Sequence, residues 1–261
     1  MRSLNIAATG MLAQQLNVEV ISNNIANINT TGFKRSRAEF QDLLYQNEKR
    51  IGTASSDAGT TVPSGVQVGL GVQTGNVYRI HEQGNLLPTN NALDLSIQGE
   101  GFFQINLPNN GTAYTRAGQF ALNETGQIVT PDGLTLQGPG AVPQNATAVT
   151  INASGEVLVS IPGQQNPQNL GQIQLATFIN NPGLEAIGNN LYTQTQASGA
   201  PSQGTPGTQQ FGTVLQGFLE TSNVNVVSEI TNLITAQRAY EMNSRVIEAS
   251  DQMLTTLSQL R

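Results

Sequence analysis

Residues 4–28 read LNIAATGMLAQQLNVEVISNNIANI, and taken in sevens they form two interleaved rows. One row holds Leu4, Met11, Val18 and Ile25; the other holds Ala7, Gln14, Ile21 and Ile28. Apart from Gln14, every position is apolar or small. The alternating spacings of three and four are those of a coiled-coil seam. Ser3 suits the N-cap and Gly32 the position just past the end, with Asn27 and Asn29 fraying the last turn. A helix of this length is marginal alone in water, so it needs a partner.

The far end of the chain offers one. Val226, Ile230, Leu233, Gln237, Tyr240, Ser244, Ile247, Asp251 and Leu254 repeat the same spacing. A second stripe, Ala239, Met242, Val246, Ala249, Met253, Leu257 and Leu260, runs beside it. Asn225 can cap this helix, and Glu229 suits the positive end of its dipole. Two apolar stripes call for more than one neighbour. The terminal helices are therefore expected to pack on each other and on copies in other subunits. An ordinary intramolecular hairpin is the alternative, but Gln237, Ser244 and Asp251 suit a register-setting seam better than a dry core.

Composition narrows the function. Of the 261 residues only 11% are charged, against the usual 25% or so. Asn and Gln together number 54 and Thr 26, which makes a polar but uncharged surface. Net charge is −6 with no basic cluster, so nucleic acid is not an expected partner. Cys is absent, which removes disulfide and thiolate chemistry. No apolar run approaches a bilayer span, so no membrane insertion is expected, and residues 1–20 show no secretory signal.

Between the helices the pattern changes. Residues 46–62 open with Asn47, Glu48, Lys49 and Arg50 and continue as small polar residues. Pro63, Ser64 and Gly65 then turn into Val66, Val68, Leu70 and Val72, which alternate with polar or small residues as in a strand. This reads as a long hairpin-like arm. Residues 76 to about 211 read as β-rich, with turns every 8–12 residues. Asn123–Gly126, Pro131–Gly133 and Asn152–Gly155 each separate short alternating runs. The expected architecture is α+β. An axial helix occupies 1–32, an extended arm 33–75, a sandwich- or barrel-like β domain 76–211, and a return linker and second axial helix 212–261.

The run Asn24-Ile25-Ala26-Asn27-Ile28-Asn29-Thr30-Thr31-Gly32-Phe33-Lys34 resembles the N-terminal signature of the bacterial flagellar axial proteins, which form the rod and hook. Ser36 to Gln46 resembles the distal-rod members in particular. Leu219 to Val226, Ala236 to Glu241, Thr115-Arg116-Ala117-Gly118 and Thr130-Pro131-Asp132-Gly133 are similar to the same family, so the resemblance covers essentially the whole chain. It implies a homo-oligomeric helical tube, straight and rigid, that carries torque from motor to hook around an export channel. Implied partners are the proximal rod and hook proteins, a surrounding ring in peptidoglycan and outer membrane, and the flagellar type III export apparatus. The implied location is the periplasmic rod, reached without a cleavable signal. The pair Phe40 and Leu44 resembles the export-gate segment of such substrates; packing one helical turn apart is the simpler account. Glu48, Lys49, Arg50, Pro63 and Gly65 would belong to an arm that stiffens the rod, an insert that the hook type lacks.

Catalysis finds little support. His81 is the sole histidine, which precludes a His cluster or a multi-His metal site, and a lone His is usually a surface residue. Asp94, Glu100, Glu124, Asp132 and Glu156 sit near glycine turns, where carboxylates serve turn hydrogen bonding or surface charge. Gly69, Gly71 and Gly75 miss the phosphate-loop spacing. No cofactor is expected. Two other readings stay open: a sister axial protein of the proximal rod or hook, and a secreted β-rich glycan-binding or hydrolytic module.

Overall fold

A computed structural model describes residues 2–49, 64–109, 111–208 and 210–259. The fold is α+β, with one long helix near each end: α1 (Arg2–Ala26) and α2 (Val226–Gln259). By packing the chain forms two units. One comprises residues 1–25, 36–78 and 225–261, the other 26–35 and 79–224.

In the first unit α1 and α2 run antiparallel. Ser250 donates to Ser3 (3.3 Å), Asn243 lies against the backbone of Gly10, and Asn24 donates to Glu229 (3.3 Å). These contacts hold one register along both helices. The facing rows are thereby Ser3, Ala7, Gly10, Gln14, Asn17, Ile21 and Asn24 on α1, against Glu229, Leu233, Ala236, Tyr240, Asn243, Ile247 and Ser250 on α2. Small residues allow the close approach, and buried Asn24 and Glu229 satisfy each other. Asn225 caps α2, its Oδ1 accepting from the Ser228 N–H at 3.2 Å. Ser3 is no cap, because α1 begins before it. Gly32 has φ +68° but lies beyond the helix end, and a Cβ there would stand 2.6 Å from the Ala117 nitrogen.

A two-stranded ribbon completes this unit. Strand Ser36–Asp42 pairs with Val72–Arg79, and Tyr45–Lys49 pairs antiparallel with Val66–Gly69. Asn24 fastens the ribbon to α1: its Oδ1 accepts from the Ser36 N–H and its Nδ2 donates to the Ser36 carbonyl, both at 2.8 Å. Thr9 Oγ1 accepts from the Val72 N–H at 3.3 Å.

The second unit centres on strand Phe102–Asn106, which pairs with Thr112–Thr115, Thr135–Leu136 and Leu175–Thr177. From there one antiparallel sheet of nine strands runs out to Ala121–Leu122 at one edge and Glu185–Gly188 at the other, with Ser202–Gly204 branching from Leu175–Thr177. Among the described residues its path is open and branched, not a closed barrel. Alternation puts Phe103 and Ile105 into the main core with Leu95, Ile97, Val157, Ile173 and Val214. Phe102 joins Tyr114, Ala176, Phe178, Leu184 and Tyr192 in a second cluster. The hairpin expected around Asn152–Gly155 pairs Val149 with Val159 and Ile151 with Val157.

Residues 213–220, read from sequence as part of a return linker, form strands instead. Thr213–Gln216 pairs with Leu95–Gln98, and Phe218–Glu220 pairs with Leu86–Pro88. The run is short and weakly alternating, so its pairing is set by tertiary partners rather than by local pattern.

Candidate functional site

The expected assembly residues divide by position. Ala7, Ile21 and Leu233 face the partner helix, while Leu4, Met11, Val18 and Ile25 are half-buried beside that face. Ile28 lies past the end of α1, in the turn where the Thr30 N–H donates to the Asn27 carbonyl, so it is no seam residue. On α2 the row facing α1 differs from the expected one at alternate positions. Glu229, Ala236 and Ser250 are buried there, while Ile230 is 45% exposed and Gln237 and Asp251 are exposed. Leu233, Ile247 and Leu254 are half-buried and Tyr240 is 44% exposed. Small residues at the closest crossings are the physical reason: Gly10, Ala7 and Ala236 let the backbones approach, while Ile21, Leu233 and Ile247 fill the positions between them. The second stripe of α2 is left uncovered, with Met242 61%, Val246 47% and Met253 59% exposed.

Phe40 lies on strand Ser36–Asp42 and is half-buried, and Leu44, just beyond it, is 83% exposed. The backbone there is extended, so packing one helical turn apart is ruled out. Glu48, on strand Tyr45–Lys49, forms an ion pair with Arg2, and Gly65 immediately precedes Val66–Gly69. Lys49 closes the first of these strands, opposite Val66. Arg50 and Pro63 lie outside the described residues.

The second unit contains a polar site that sequence reasoning missed. Glu220 is fully buried and accepts from Lys34 Nζ at 2.5 Å, the Gly84 N–H at 2.9 Å and Arg116 Nη1 at 3.4 Å. Lys34 also donates to the Glu82 carbonyl (2.6 Å), and Arg116 Nη2 to the Gly99 carbonyl (2.7 Å). Two buried cations thus share one carboxylate, and backbone carbonyls accept further hydrogen bonds from each. Burial pulls the pKa of both Lys34 and Arg116 down, and the Glu220 charge opposes it.

Around this junction run the segments by which the chain passes between its two units. Asn223 Oδ1 accepts from the Arg35 N–H (2.8 Å), and its Nδ2 donates to the carbonyls of Ile80 (2.9 Å) and Glu82 (3.1 Å). The Gly32 N–H donates to the Glu220 carbonyl (2.8 Å). Gly118 is packed so tightly that a Cβ would stand 1.5 Å from the Leu95 carbonyl oxygen. The signal was present in the sequence: in a chain so poor in charge, Lys34, Arg116 and Glu220 all sit inside family-like motifs.

His81 is not a surface residue. Its ring lies edge-on to Phe102 (5.7 Å) and Tyr192 (5.6 Å), and Nδ1 has no hydrogen-bond partner among the described residues. Asp94 accepts from Thr89 (2.7 Å) and Asn91 (3.0 Å), and Glu156 from Asn152 (2.7 Å), which are turn-stabilising roles.

Comparison with known proteins finds three family matches along the chain. Residues 4–34 match the family described as flagella basal body rod protein. Residues 96–159 match the flagellar hook protein FlgE/F/G D1 domain, and 215–260 the flagellar basal body rod FlgEFG protein C-terminal family. Together these define the class: an axial protein of the flagellar rod and hook. The flagellar basal-body rod protein FlgG of Caulobacter vibrioides is 61% identical over the full length of both chains. The FlgG proteins of Agrobacterium fabrum (52%; 99% of this chain and 98% of that one) and Buchnera aphidicola from Acyrthosiphon pisum (51%; 99% of each) are also similar. The chain belongs to the FlgG family of flagellar basal-body rod proteins. It is a structural protein of the flagellar rod, not an enzyme.

Burial, and then the charges of Lys34, Arg116 and Arg79, lower the His81 pKa from 6.5 to about 4. The unfolded chain therefore takes up this proton first, and stability falls as pH drops from 6.5 toward 4. At about 1.4 kcal/mol per pKa unit the loss is on the order of 2–3 kcal/mol. His81→Gln should flatten the unfolding free energy across that range in urea titrations. An equal fall in the variant would place the acid sensitivity elsewhere.

Proposed function

We propose that this chain is a structural subunit of the distal rod that self-assembles into a straight, rigid helical tube, transmits torque from motor to hook and encloses the export channel. The observation that carries this reading is the uncovered apolar face of α2. Met242, Val246 and Met253 stand exposed on a helix whose other side is already occupied by α1. Leu12 of α1, 66% exposed, adds to the unpartnered apolar surface. Burying each such side chain contributes about 1.5–3 kcal/mol, so a contact repeated along a polymer gains stability that a single chain forgoes.

In this reading the tube adjoins proximal rod and hook proteins at its ends. A ring in peptidoglycan and outer membrane surrounds it, and the subunit reaches the periplasm through flagellar type III export. A surface with 11% charged residues suits rotation inside a ring, since few ion pairs would form and break. Within the β-rich unit the Lys34–Glu220–Arg116 junction holds segments 32–35, 82–84, 116–118 and 220–223 in one arrangement.

The ribbon supports a stiffening role for the arm, because two paired strands extend farther and bend less than a loose loop of the same length. Deleting residues 47–62 should preserve assembly through the helices and yield rods that curve. Electron micrographs of isolated basal bodies would show the curvature, and straight rods would remove the arm from the explanation of rigidity.

Phe40 and Leu44 fit an export-recognition role better than a packing pair, since Leu44 is 83% exposed on extended backbone. Phe40→Ala should give a purified protein with an unchanged melting curve that stays inside the cell. Normal secretion of that variant would exclude the role.

A further inference from the structure

Strand Leu95–Gln98 runs through the main core of the β-rich unit, with Leu95 and Ile97 fully buried. Among the described residues its only strand partner is Thr213–Gln216, and the only one of Leu86–Pro88 is Phe218–Glu220. The same segment reaches the rest of the unit. Val214 is buried in the main core, and the Gly217 N–H donates to the Asp94 carbonyl (2.7 Å). Gln216 joins the hairpin of Ala148–Ile151 and Glu156–Ser160: its Oε1 accepts from the Ile151 N–H (3.1 Å) and its Nε2 donates to the Val149 carbonyl (2.9 Å). At its far end stands Glu220, the carboxylate that Lys34 and Arg116 share.

We propose that residues 213–223 are a late-closing clasp. The β-rich unit completes its core only when this segment arrives, so a chain delivered N-terminus first stays open, and able to thread a narrow channel, until nearly all of it has emerged. Separation in sequence sets the order. The hairpins of Phe102–Asn106 with Thr112–Thr115 and of Ala148–Ile151 with Glu156–Ser160 join strands a few residues apart, so their loop closure costs little. The clasp must close a loop of more than a hundred residues. Before it docks, the backbone donors and acceptors of Leu95–Gln98 have no ladder, and Lys34 and Arg116 have no carboxylate. Unpaired backbone groups and uncompensated charges both resist burial, so apolar collapse alone cannot finish the core. The channel-threading consequence rests on the export reading; the order of closure is a property of the chain alone.

Refolding of the full-length chain from urea, sampled by pulsed amide hydrogen exchange, tests the order. Residues 102–115 and 148–160 should gain protection first, and 86–88, 95–98 and 213–220 together in a later phase. A matched pair of substitutions gives a second readout, since Val157 of the second hairpin and Val214 of the clasp are both buried in one core. Val214→Ala should leave the folding rate within about twofold and speed unfolding by about tenfold, the signature of a contact made after the transition state. Val157→Ala should slow folding. Protection of 213–220 with or before the hairpins, or folding slowed by Val214→Ala as much as by Val157→Ala, would overturn the proposal. Secretion of the Phe40→Ala variant reads the export reading separately, so the two can fail independently.

Discussion

The buried Lys34–Glu220 pair is the interaction on which the β-rich unit's organisation depends. An uncompensated charge in a protein interior costs several kcal/mol, so each member is tolerable only while the other is in place. Glu220 also accepts from Gly84 and Arg116, and Lys34 donates to the Glu82 carbonyl. The constraint is therefore shared among segments far apart in sequence: 32–35, 82–84, 97–99, 116–118 and 220–223. A hydrophobic contact at the same place would be more forgiving of rotation or slippage. Directed hydrogen bonds to a single carboxylate permit one arrangement only. That specificity suits a subunit whose chain crosses between two units at 25/26, 35/36, 78/79 and 224/225.

The helical unit is built on the opposite principle. Its intramolecular seam uses small and amide side chains, with Gly10, Ala7 and Ala236 admitting close approach and Asn24 bridging Glu229 and Ser36. Met242, Val246 and Met253 of α2 are directed away from that seam. Apolar side chains left outside are a cost in a lone chain and a resource in a polymer, where neighbours cover them. One unit has a full apolar core, and the other leaves Met242, Val246 and Met253 of α2 exposed.

How far the sequence revealed this differs by element. The helices were legible because a 3,4 repeat sustained over three or more heptads has few other readings. The hairpins at Asn123–Gly126 and Asn152–Gly155 were legible because turn chemistry acts locally: Gly126 and Gly155 both take positive φ, at 78° and 80°. The row of α2 that meets α1 inside the chain is offset from the 3,4 row legible in the sequence, because close packing brings Ala236, Asn243 and Ser250 against α1 in place of Gln237, Ser244 and Asp251. Strands 213–220 were missed because their partners, Leu86–Pro88 and Leu95–Gln98, lie more than a hundred residues away. The pairing at the junction is only faintly marked in the sequence, for a related reason. Lys34, Arg116 and Glu220 each look like ordinary charges until the fold brings them together, and only their rarity in so uncharged a chain marks them.

The most direct test of the junction's governing role is amide hydrogen exchange on Glu220→Gln in the full-length chain. The substitution keeps the shape and removes the charge, leaving Lys34 and Arg116 buried without a counter-charge. Losing one partner of a buried pair costs about 3–5 kcal/mol. The expected result is a matching, joint loss of protection in 32–35, 79–85, 95–99, 115–118 and 218–224, with the protection of α1 and α2 changed less. Loss confined to residues 218–222, with the other segments as protected as before, would contradict the claim that one buried carboxylate holds these crossings together.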